Sequence, residues 1–564
     1  MRVRLLPIPL VLVLCIGGCT PFSDEPRPAG GEPPRGRVSA SAPDERLTVL
    51  ADADPVASAA AMSRTLFDRS PVVVIARDGD RPGTLLAASA AVGLGVPLLL
   101  EPEGGGTSEI LVGELARLGA GTVLAVGEAD GETGGSAADG STGQAGHDVV
   151  AVPSDAGAVA AATGLDFAPA DPVSSHNDPV AVAALDPAAP VALRLEDAAA
   201  AGSSTGTARL PEVDRAEPLA RTVVLATGEA ASTAALATAR AAGASVALTS
   251  GETDPRRSTR AVDALGAVGW AGTEAVVALG TGFGAEDGLD WKIETAVDGR
   301  QLPGGGQVLF PGRLLVALYG HPGTAALGVL GEQDLAASIE RARAHAAPFE
   351  ALVEDPVIPA FEIIATIASS QPGEDGNYSA EADVEQLRPW VEAAGEAGLY
   401  VLLDLQPGRT DFLTQAERYR PLLELPHVGL ALDPEWRLGP DQVHLTQIGS
   451  VAIEEVNGVV AWLADLTREH VLPQKLLVLH QFQLAAIADR ERLDTSRDEL
   501  AVMIHADGLG SQSDKQATWG ALHTNPPPGL SWGWKNFYDE DLPMLTPEQT
   551  IATVSPRPDL ITYQ

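Results

Sequence analysis

Short apolar runs alternate with longer segments of helical periodicity through the first half of the chain. An apolar run of a few residues between helices is typical of a parallel sheet that is covered on both faces. The order strand, helix, strand, helix, strand occurs twice between residues 46 and about 300, so we predict a doubly wound parallel α/β domain built from a duplicated unit. The predicted strands are Val72–Ile75, Val96–Leu100, Thr122–Val126, Val223–Ala226, Ser245–Thr249 and Ala275–Leu279, and the predicted helices are Thr84–Gly93, Glu109–Leu118, Ser232–Ala242 and Ser258–Leu265.

From about Gly312 the pattern changes to eight apolar runs, separated by segments long enough for a helix, such as Glu385–Ala397 and Val451–Thr467. Eight β/α repeats in roughly 250 residues match a closed (β/α)8 barrel. An open eight-stranded sheet is the alternative. We therefore predict a TIM-like barrel over residues 301–564. The runs are Leu314–Leu318, Ala360–Thr366, Tyr400–Leu403, Val428–Leu432, Leu476–Leu479, Leu500–Ile504, Leu530–Trp534 and Leu560–Tyr563.

The first 18 residues have the pattern of an export signal. Arg2 and Arg4 precede the apolar run Leu5–Ile16, which is too short to cross a bilayer as a mature helix. The run ends in Ile16-Gly17-Gly18-Cys19, which resembles the lipobox of bacterial lipoproteins. That resemblance implies a diacylglyceryl lipid on Cys19 and residence on the outer face of the cell membrane. The alternative is an ordinary signal peptide with a cysteine that is there by chance.

Composition indicates which segments are linkers, whether the chain has disulfides, and which partners its charge disfavours. Residues 19–45 are rich in Pro, Gly, Ser and Glu, which predicts a flexible tether, and we take the similar stretches 131–146 and 198–206 as surface loops. Both cysteines lie in the signal region, so the mature chain has no internal disulfide. The formal net charge of -39 makes nucleic acid and anionic lipid headgroups poor partners.

The duplicated unit resembles the type 2 cell-wall-binding repeat. The resemblance is carried by Val-Pro-Leu-Leu-Leu at 96–100, by Thr-Val-Leu-Ala-Val-Gly at 122–127, and by strands that end in Gly127 and Gly280. A degenerate third copy is placed near Val149–Leu195. The aspartate-rich helix start of the family is replaced by Gly-Asp-Arg-Pro at 79–82, and so acidic a chain would repel the anionic wall polymers that the resemblance implies. A plain Rossmann-like domain is the alternative, although no G-x-G-x-x-G opens a helix after the first strand.

Polar residues follow the predicted barrel strands. Side chains alternate across a strand with period two, so two residues separated by one point the same way. If these residues face the barrel mouth, they converge at the C-terminal face, where barrel enzymes keep their active sites. The residues are Tyr319, His321, Asp404, Asp433, Glu435, His480, His505, Asp507, Trp532 and Trp534.

Paired carboxyl groups beside indoles, which stack on sugar rings, suit the hydrolysis of glycosidic bonds. We expect Glu435 to be the general acid and Asp433 its electrostatic partner, with Asp404 or Asp507 as the base or nucleophile. The tripeptide Asp433-Pro-Glu435 resembles the Asp-x-Glu pair at the end of the fourth strand in several barrel glycosidases. The substrate would be cell-wall or extracellular carbohydrate, and the residues that would bind it are Tyr319, His321, His480, His505, Trp532 and Trp534.

Two other interpretations stay open. The same carboxylates and histidines offer oxygen and nitrogen ligands for a divalent metal, although no H-E-x-x-H motif or cysteine cluster directs one. No cofactor is identified. Alternatively, the chain is a non-catalytic wall-binding or scaffolding lipoprotein whose barrel serves as a sugar-binding platform. The alternatives predict different results for Glu435→Gln, which removes the turnover of an enzyme but leaves the glycan affinity of a binding module.

Overall fold

The computed structural model describes residues 36–105, 108–130, 146–174, 176–195 and 208–564. Cys19 and most of the two predicted glycine-rich loops lie outside the described residues. Within the predicted tether, Gly36–Arg37 pairs with Val213–Asp214, and Ser39–Ala40 pairs with Phe67–Arg69. The chain therefore joins the α/β domain from Gly36, ahead of the boundary expected at residue 46.

The first half contains two parallel four-stranded sheets. The first sheet has the strand order Leu98–Glu101, Val72–Arg77, Thr122–Val126, Asp148–Val152. The second sheet has the order Ser245–Leu248, Thr222–Ala226, Ala275–Leu279, Leu47–Leu50. The duplicated parallel α/β pattern is confirmed. Because the strand Leu47–Leu50 precedes the first sheet along the chain but belongs to the second, the two units interleave.

Helices cover both sheets. Two of them, Pro55–Leu66 and Arg81–Leu94, both contact a third, Thr233–Ala241, and one apolar cluster joins all three to residues of both sheets, which places them between the sheets. The segment expected to hold a third copy supplies the edge strand Asp148–Val152 and two helices, and it forms no third sheet among the described residues. The other helices of this half are Glu109–Leu118, Ala156–Thr163, Asp178–Ala183, Thr259–Gly272 and Leu289–Asp298.

The second half is a closed barrel of eight parallel strands. Strand Leu314–Gly320 pairs with Val357–Ala368 on one side and with Leu560–Tyr563 on the other, so the alternative of an open sheet is wrong. A short strand, Ser379–Glu381, pairs with the end of Val357–Ala368 in the antiparallel sense. The barrel strands are β1 (Leu314–Gly320), β2 (Val357–Ala368), β3 (Tyr400–Leu405), β4 (Val428–Leu432), β5 (Lys475–Gln481), β6 (Leu500–Ala506), β7 (Ser531–Asn536) and β8 (Leu560–Tyr563).

Helices follow most of the barrel strands and cover the outside of the barrel. The connection from β5 to β6 instead contains no α-helix: it has two short 3-10 turns, Leu484–Ala486 and Arg490–Arg492, and the two-residue strand Ile487–Ala488. None of the helices among the described residues is long and apolar enough to cross a membrane. The helices of this half are Leu335–Ala346, Val384–Glu396, Phe412–Arg418, Arg420–Leu423, Ile453–Glu469, Gln512–Leu522 and Pro547–Thr553.

The lower part of the barrel interior is apolar and closed. Inward residues such as Leu315, Leu402 and Val478 form one cluster with Leu309 and Phe310, which come from the segment just before β1. That segment covers the N-terminal end of the barrel. Above this apolar floor the inward positions become charged, so any chemistry is confined to the C-terminal end.

Candidate active site

The C-terminal ends of the barrel strands bring ionisable side chains together. Most of them come from inward positions near the ends of their strands, and hydrogen bonds or ion pairs connect them across the barrel. Sequence reasoning expected this convergence for ten residues, and the structure brings seven of them together: Tyr319, Asp404, Asp433, Glu435, His480, His505 and Asp507. The structure also places Glu362, Lys535 and Thr562 in the same layer.

His480 lies at the centre of this layer and contacts two carboxylates. Its Nε2 lies 2.8 Å from Glu362 Oε1, and its Nδ1 lies 3.2 Å from Asp507 Oδ2. Burial alone would lower the pKa of His480, but the charge of Glu362 and the hydrogen bonds to Asp507 and Glu362 raise it well above its ordinary value. His480 is therefore an imidazolium that donates from both ring nitrogens.

Glu362 is the carboxylate beneath His480. Thr562 donates a hydrogen bond of 3.0 Å to its second oxygen, Oε2. Burial would raise the pKa of Glu362, but the charge of His480 and its hydrogen bond lower that pKa to about 2. The two groups thus form an ion pair with no exposed surface on the glutamate.

His505 packs against the other side of His480 in the neutral state. Its Nδ1 lies 3.3 Å from His480 Nδ1, and burial lowers its pKa to about 3. Since His480 carries both of its protons, His505 accepts at Nδ1. Its ring lies over Gly533, where an added Cβ would be 2.1 Å from His505 Cδ2, so only glycine fits at this position in β7.

Asp507 follows β6 and lies between two cations. Lys535 Nζ is 3.2 Å from Asp507 Oδ1, while His480 holds the other oxygen. Burial opposes ionisation, yet Lys535 and then His480 lower the pKa of Asp507 below its usual range. The carboxylate therefore stays ionised, and 8% of its side chain is exposed at the barrel mouth.

Asp433 and Glu435 favour the protonated form, in contrast to Asp507. Burial, followed by the charge of Asp507, raises the pKa of Glu435 to about 7. Burial and the charge of Glu435 raise the pKa of Asp433 well above its ordinary value. Carboxyl oxygens of Asp433, Glu435 and Asp507 lie within 4.8 Å of one another, so a protonated pair faces one ionised carboxylate.

The backbone after β4 fixes Glu435 at the mouth. A single 3-10 turn, Pro434–Trp436, follows the strand directly, and the amide of Gly449 donates to the Glu435 carbonyl oxygen at 2.7 Å. The Glu435 side chain is partly exposed, while Asp433 is buried. Glu435 and Asp507 are thus the two carboxyl groups of the cluster that open to solvent.

Asp404 lies deeper than the sequence suggested for a base or nucleophile. It is fully buried, accepts a hydrogen bond of 2.8 Å from the Tyr319 hydroxyl, and has its other oxygen 3.8 Å from His480 Nε2. Burial raises its pKa to about 6. Lys535 Nζ lies 3.7 Å above the Tyr319 ring, so the hydrogen-bonded pair of Tyr319 and Asp404 lies beneath Lys535.

Trp532 and Trp534 do not face the barrel interior. They belong to the apolar cluster between the strands and the outer helices, and both contact Trp519 of the helix Gln512–Leu522. Trp534 also donates to Asn536 at 2.9 Å. The expected role in substrate binding is corrected, because the inward positions of β7 are Gly533 and Lys535.

His321 also stands apart from the charged layer. Its Nδ1 lies 3.0 Å from the carbonyl oxygen of Ile364, and no described contact joins it to His480. An aromatic side chain does occur at the rim beside Glu435, where partly exposed Trp436 stacks on His444 with ring centroids 4.9 Å apart.

For two of the residues that sequence reasoning missed, Glu362 and Lys535, the sequence does contain an indication of their position. Glu362 is a lone carboxylate inside an otherwise apolar run, and a buried charge in such a run must be paired. Lys535 directly follows Trp534 and occupies an inward position of β7. The predicted alternation with period two is correct, but the inward face of β7 is displaced by one residue from the predicted one.

Two groups of side chains among the described residues could hold a metal ion, and the group that offers only carboxylate oxygens fits one better. In the group Glu362, His480 and His505, both nitrogens of His480 already donate to carboxylates. Asp433, Glu435 and Asp507 could hold a hard divalent cation such as Ca²⁺ or Mn²⁺. Such a cation would compete with the protons on Asp433 and Glu435.

Two cavities lie in the α/β half, away from the charged residues of the barrel mouth. One, of about 320 Å³, is mainly apolar and lies around Val180 and Leu185. The other, of about 400 Å³, lies beyond the strand ends of the second sheet, beside Glu229 and Arg260. Neither gathers the ionisable groups that the barrel mouth does, so the barrel mouth is the candidate active site.

No protein-family model and no curated protein matches the chain. Among solved structures, the chain is similar to Cwp6 from Clostridium difficile, with 13% identity and a TM-score of 0.32. The match covers 78% of this chain and 63% of that chain, so the chain spans less than two thirds of the structure it matches. A similarity of this size carries no argument about function.

Proposed function

We propose that the barrel hydrolyses glycosidic bonds in cell-wall or extracellular carbohydrate, with Glu435 as the general acid and Asp507 as the ionised carboxylate. One observation carries the proposal. Two carboxyl groups open to the same mouth, and their surroundings hold one protonated near neutral pH and the other ionised. Two carboxyl groups whose pKa values are pushed apart are what this chemistry requires.

The first step would use both groups together. Glu435 donates its proton to the leaving glycosidic oxygen, while Asp507 stabilises or attacks the anomeric carbon. The nearest oxygens of Glu435 and Asp507 are within 4.8 Å, whereas an inverting mechanism places the carboxyl groups about 6.5–9.5 Å apart to admit a water. The separation favours retention of configuration through a glycosyl-enzyme intermediate, which water then hydrolyses with Glu435 as the base.

The surrounding residues would keep the pair in these states. His480 and Lys535 neutralise Asp507, so the nucleophile remains charged in a buried setting. Glu362 balances the charge of His480 from below. Asp433 is protonated beside Glu435, so it can donate a hydrogen bond instead of repelling substrate oxygens. Trp436 offers an aromatic face to a sugar ring at the rim.

We further propose that the chain works in the cell envelope, exported by residues 1–18 and held at the membrane by a lipid on Cys19. The support is the order of charge, apolar run, glycine pair and cysteine in the sequence. Cys19→Ser should abolish incorporation of labelled palmitate and move the protein from the membrane to the soluble fraction. A chain that stays in the membrane fraction after this change contradicts the proposal.

Hydrolysis can be tested on peptidoglycan and on extracellular polysaccharides. We expect release of reducing ends by the native chain, retained anomeric configuration by proton NMR, and a loss of rate of about 10²–10⁴-fold in Glu435→Gln. Glu385→Gln removes a carboxylate that is 72% exposed on an outer helix and is the matched control. If the native protein cleaves none of these glycans, the hydrolase proposal is lost.

A non-catalytic sugar-binding barrel is the second candidate. It is favoured by the complete burial of Glu362, Asp404 and His505, which would suit a network that only holds the barrel together. Under this alternative, Glu435→Gln leaves glycan affinity intact and neither protein shows turnover.

A further inference from the structure

The exposed aliphatic side chains of the barrel half are confined to one part of its surface. Over residues 301–564 every large aliphatic side chain that is strongly exposed lies in a loop after a strand, at the C-terminal face. We call this set the apolar arc. Its members, with their exposed fractions, are Val443 (37%), Leu445 (76%), Ile448 (51%), Leu484 (45%), Leu509 (55%) and Leu542 (73%).

The apolar arc follows four neighbouring strands, β4 to β7, and so borders half of the barrel mouth. Its loops are joined in pairs. Val451–Ala452 pairs with Ile487–Ala488, and the Leu542 amide donates to the Gly510 carbonyl oxygen at 3.1 Å. Glu435 and Asp507 follow β4 and β6, within the same half of the rim. The arc is therefore continuous with the mouth of the candidate active site.

Leu445 combines this exposure with an unfavourable backbone conformation. Its φ is 61°, in the left-handed region that a leucine side chain rarely adopts, and it is the most exposed large hydrophobic residue described. Strained backbone that presents an apolar group to water is characteristic of binding sites.

We propose that the apolar arc binds the hydrocarbon chain of an amphiphilic saccharide, so that the substrate class is a lipid-linked glycan. The inference rests on the proposed function. The sugar would enter the polar mouth towards Glu435 and Asp507, while the uncharged chain lies along the arc. A polar barrel mouth with an apolar border on one side is complementary to a molecule that has one polar and one apolar end.

Charge disfavours the other occupants. Exposed Asp441 and Glu540 lie in the loops of the arc, Asp489 is paired with exposed Arg492 at 3.7 Å, and the whole chain carries a formal charge of -39. A second copy of this chain or an anionic lipid surface would be repelled at this face. A neutral hydrocarbon chain is not.

The binding test uses the mature chain, residues 19–564, with Cys19→Ser so that no lipid is attached, and with Glu435→Gln so that nothing is hydrolysed. The probes are methyl, hexyl, octyl and decyl β-D-glucopyranosides below their micelle concentrations, measured by titration calorimetry. Affinity should rise about two- to fourfold for each added methylene. The double variant Leu445→Ser/Leu542→Ser should flatten this dependence, whereas Ile110→Ser, an exposed apolar residue of the α/β half, should not.

Equal affinity for the short and long glucosides overturns the inference. So does a chain-length dependence that the double variant leaves unchanged. Arc-dependent sedimentation with phosphatidylcholine vesicles, without binding of monomeric glucosides, would show a membrane contact instead. Arc-dependent dimerisation in sedimentation equilibrium would show a second copy. Because binding is measured without turnover, a chain-length dependence that the double variant flattens supports the inference even if the native protein hydrolyses no glycan.

Discussion

His480 Nδ1 lies 3.2 Å from Asp507 Oδ2, and this contact joins a buried ion pair to the mouth of the barrel. On its other side the same imidazolium holds Glu362 at 2.8 Å. One cation thus contacts two carboxylates, of which one is inaccessible and the other is 8% exposed at the barrel mouth. The state of the accessible carboxylate therefore depends on groups that no substrate touches.

The Glu362–His480 pair should make stability depend on pH. Glu362 has its pKa lowered from 4.5 to about 2, so its contribution is present above pH 4.5 and lost as pH falls through about 2. The pKa of His480 is raised above 6.5, so its contribution is present below pH 6.5 and lost as pH rises through the folded value. The pair is fully effective between pH 4.5 and 6.5.

Glu362→Gln tests this window by urea denaturation. The difference in unfolding free energy from the native chain should be largest between pH 4.5 and 6.5, on the order of 3–5 kcal/mol, because a buried charge loses its partner. It should shrink towards pH 2. Glu385→Gln, on an exposed helix, should show little difference at any pH. A penalty that does not vary with pH would mean that Glu362 is not charged in the native state.

The pH profile of hydrolysis should have two limbs with separate causes. Activity should fall as pH rises through about 7, because Glu435 must be protonated to act as the acid. The acidic limb should lie low, because Lys535 and His480 hold the pKa of Asp507 below its usual range. Lys535→Gln should move the acidic limb to higher pH. A profile of kcat/KM in which only the basic limb moves argues against Asp507 as the ionised group.

Gly533 should tolerate no side chain. A Cβ there would lie 2.1 Å from His505 Cδ2, so Gly533→Ala must displace the His505 ring, at a cost of about 1–3 kcal/mol. Activity should fall too, since His505 contacts His480. Gly458→Ala is the control. It lies in the helix Ile453–Glu469 with nothing near the new Cβ, and should stabilise by about 0.5–1 kcal/mol. Thermal unfolding compares the two, and equal behaviour would refute the steric argument.

Trp436, and not Trp534, should determine saccharide affinity. Trp436→Ala removes a partly exposed aromatic face at the rim and should raise KM about tenfold, or roughly 1.4 kcal/mol. Trp534→Phe changes an indole behind the barrel wall and should lower the melting temperature without changing KM. Steady-state kinetics and thermal unfolding of both variants separate binding from packing. A KM effect in Trp534→Phe alone would reverse these assignments.

The sequence by itself determined the order and kind of the elements. Short apolar runs between helical segments determined two parallel α/β units and eight barrel strands, because strand and helix periodicities are local properties of the chain. The positions of Asp433, His480, His505 and Asp507 at strand ends were also visible, since each lies directly or shortly after an apolar run. The export and lipid signals at residues 1–19 depend on sequence alone and remain predictions.

Tertiary structure decided the facing of each strand and the partner of each charge. A shift of one residue in β7 exchanges Trp532 and Trp534 for Gly533 and Lys535 at the barrel interior, and both alternations look equally regular in the sequence. The ion pair of Glu362 with His480 joins residues 118 positions apart, so only closure of the barrel reveals that a lone glutamate has a partner. Protonation follows from those contacts. The difference between Glu435 and Asp507 arises from burial and from Lys535, which the spacing of the residues along the chain does not record.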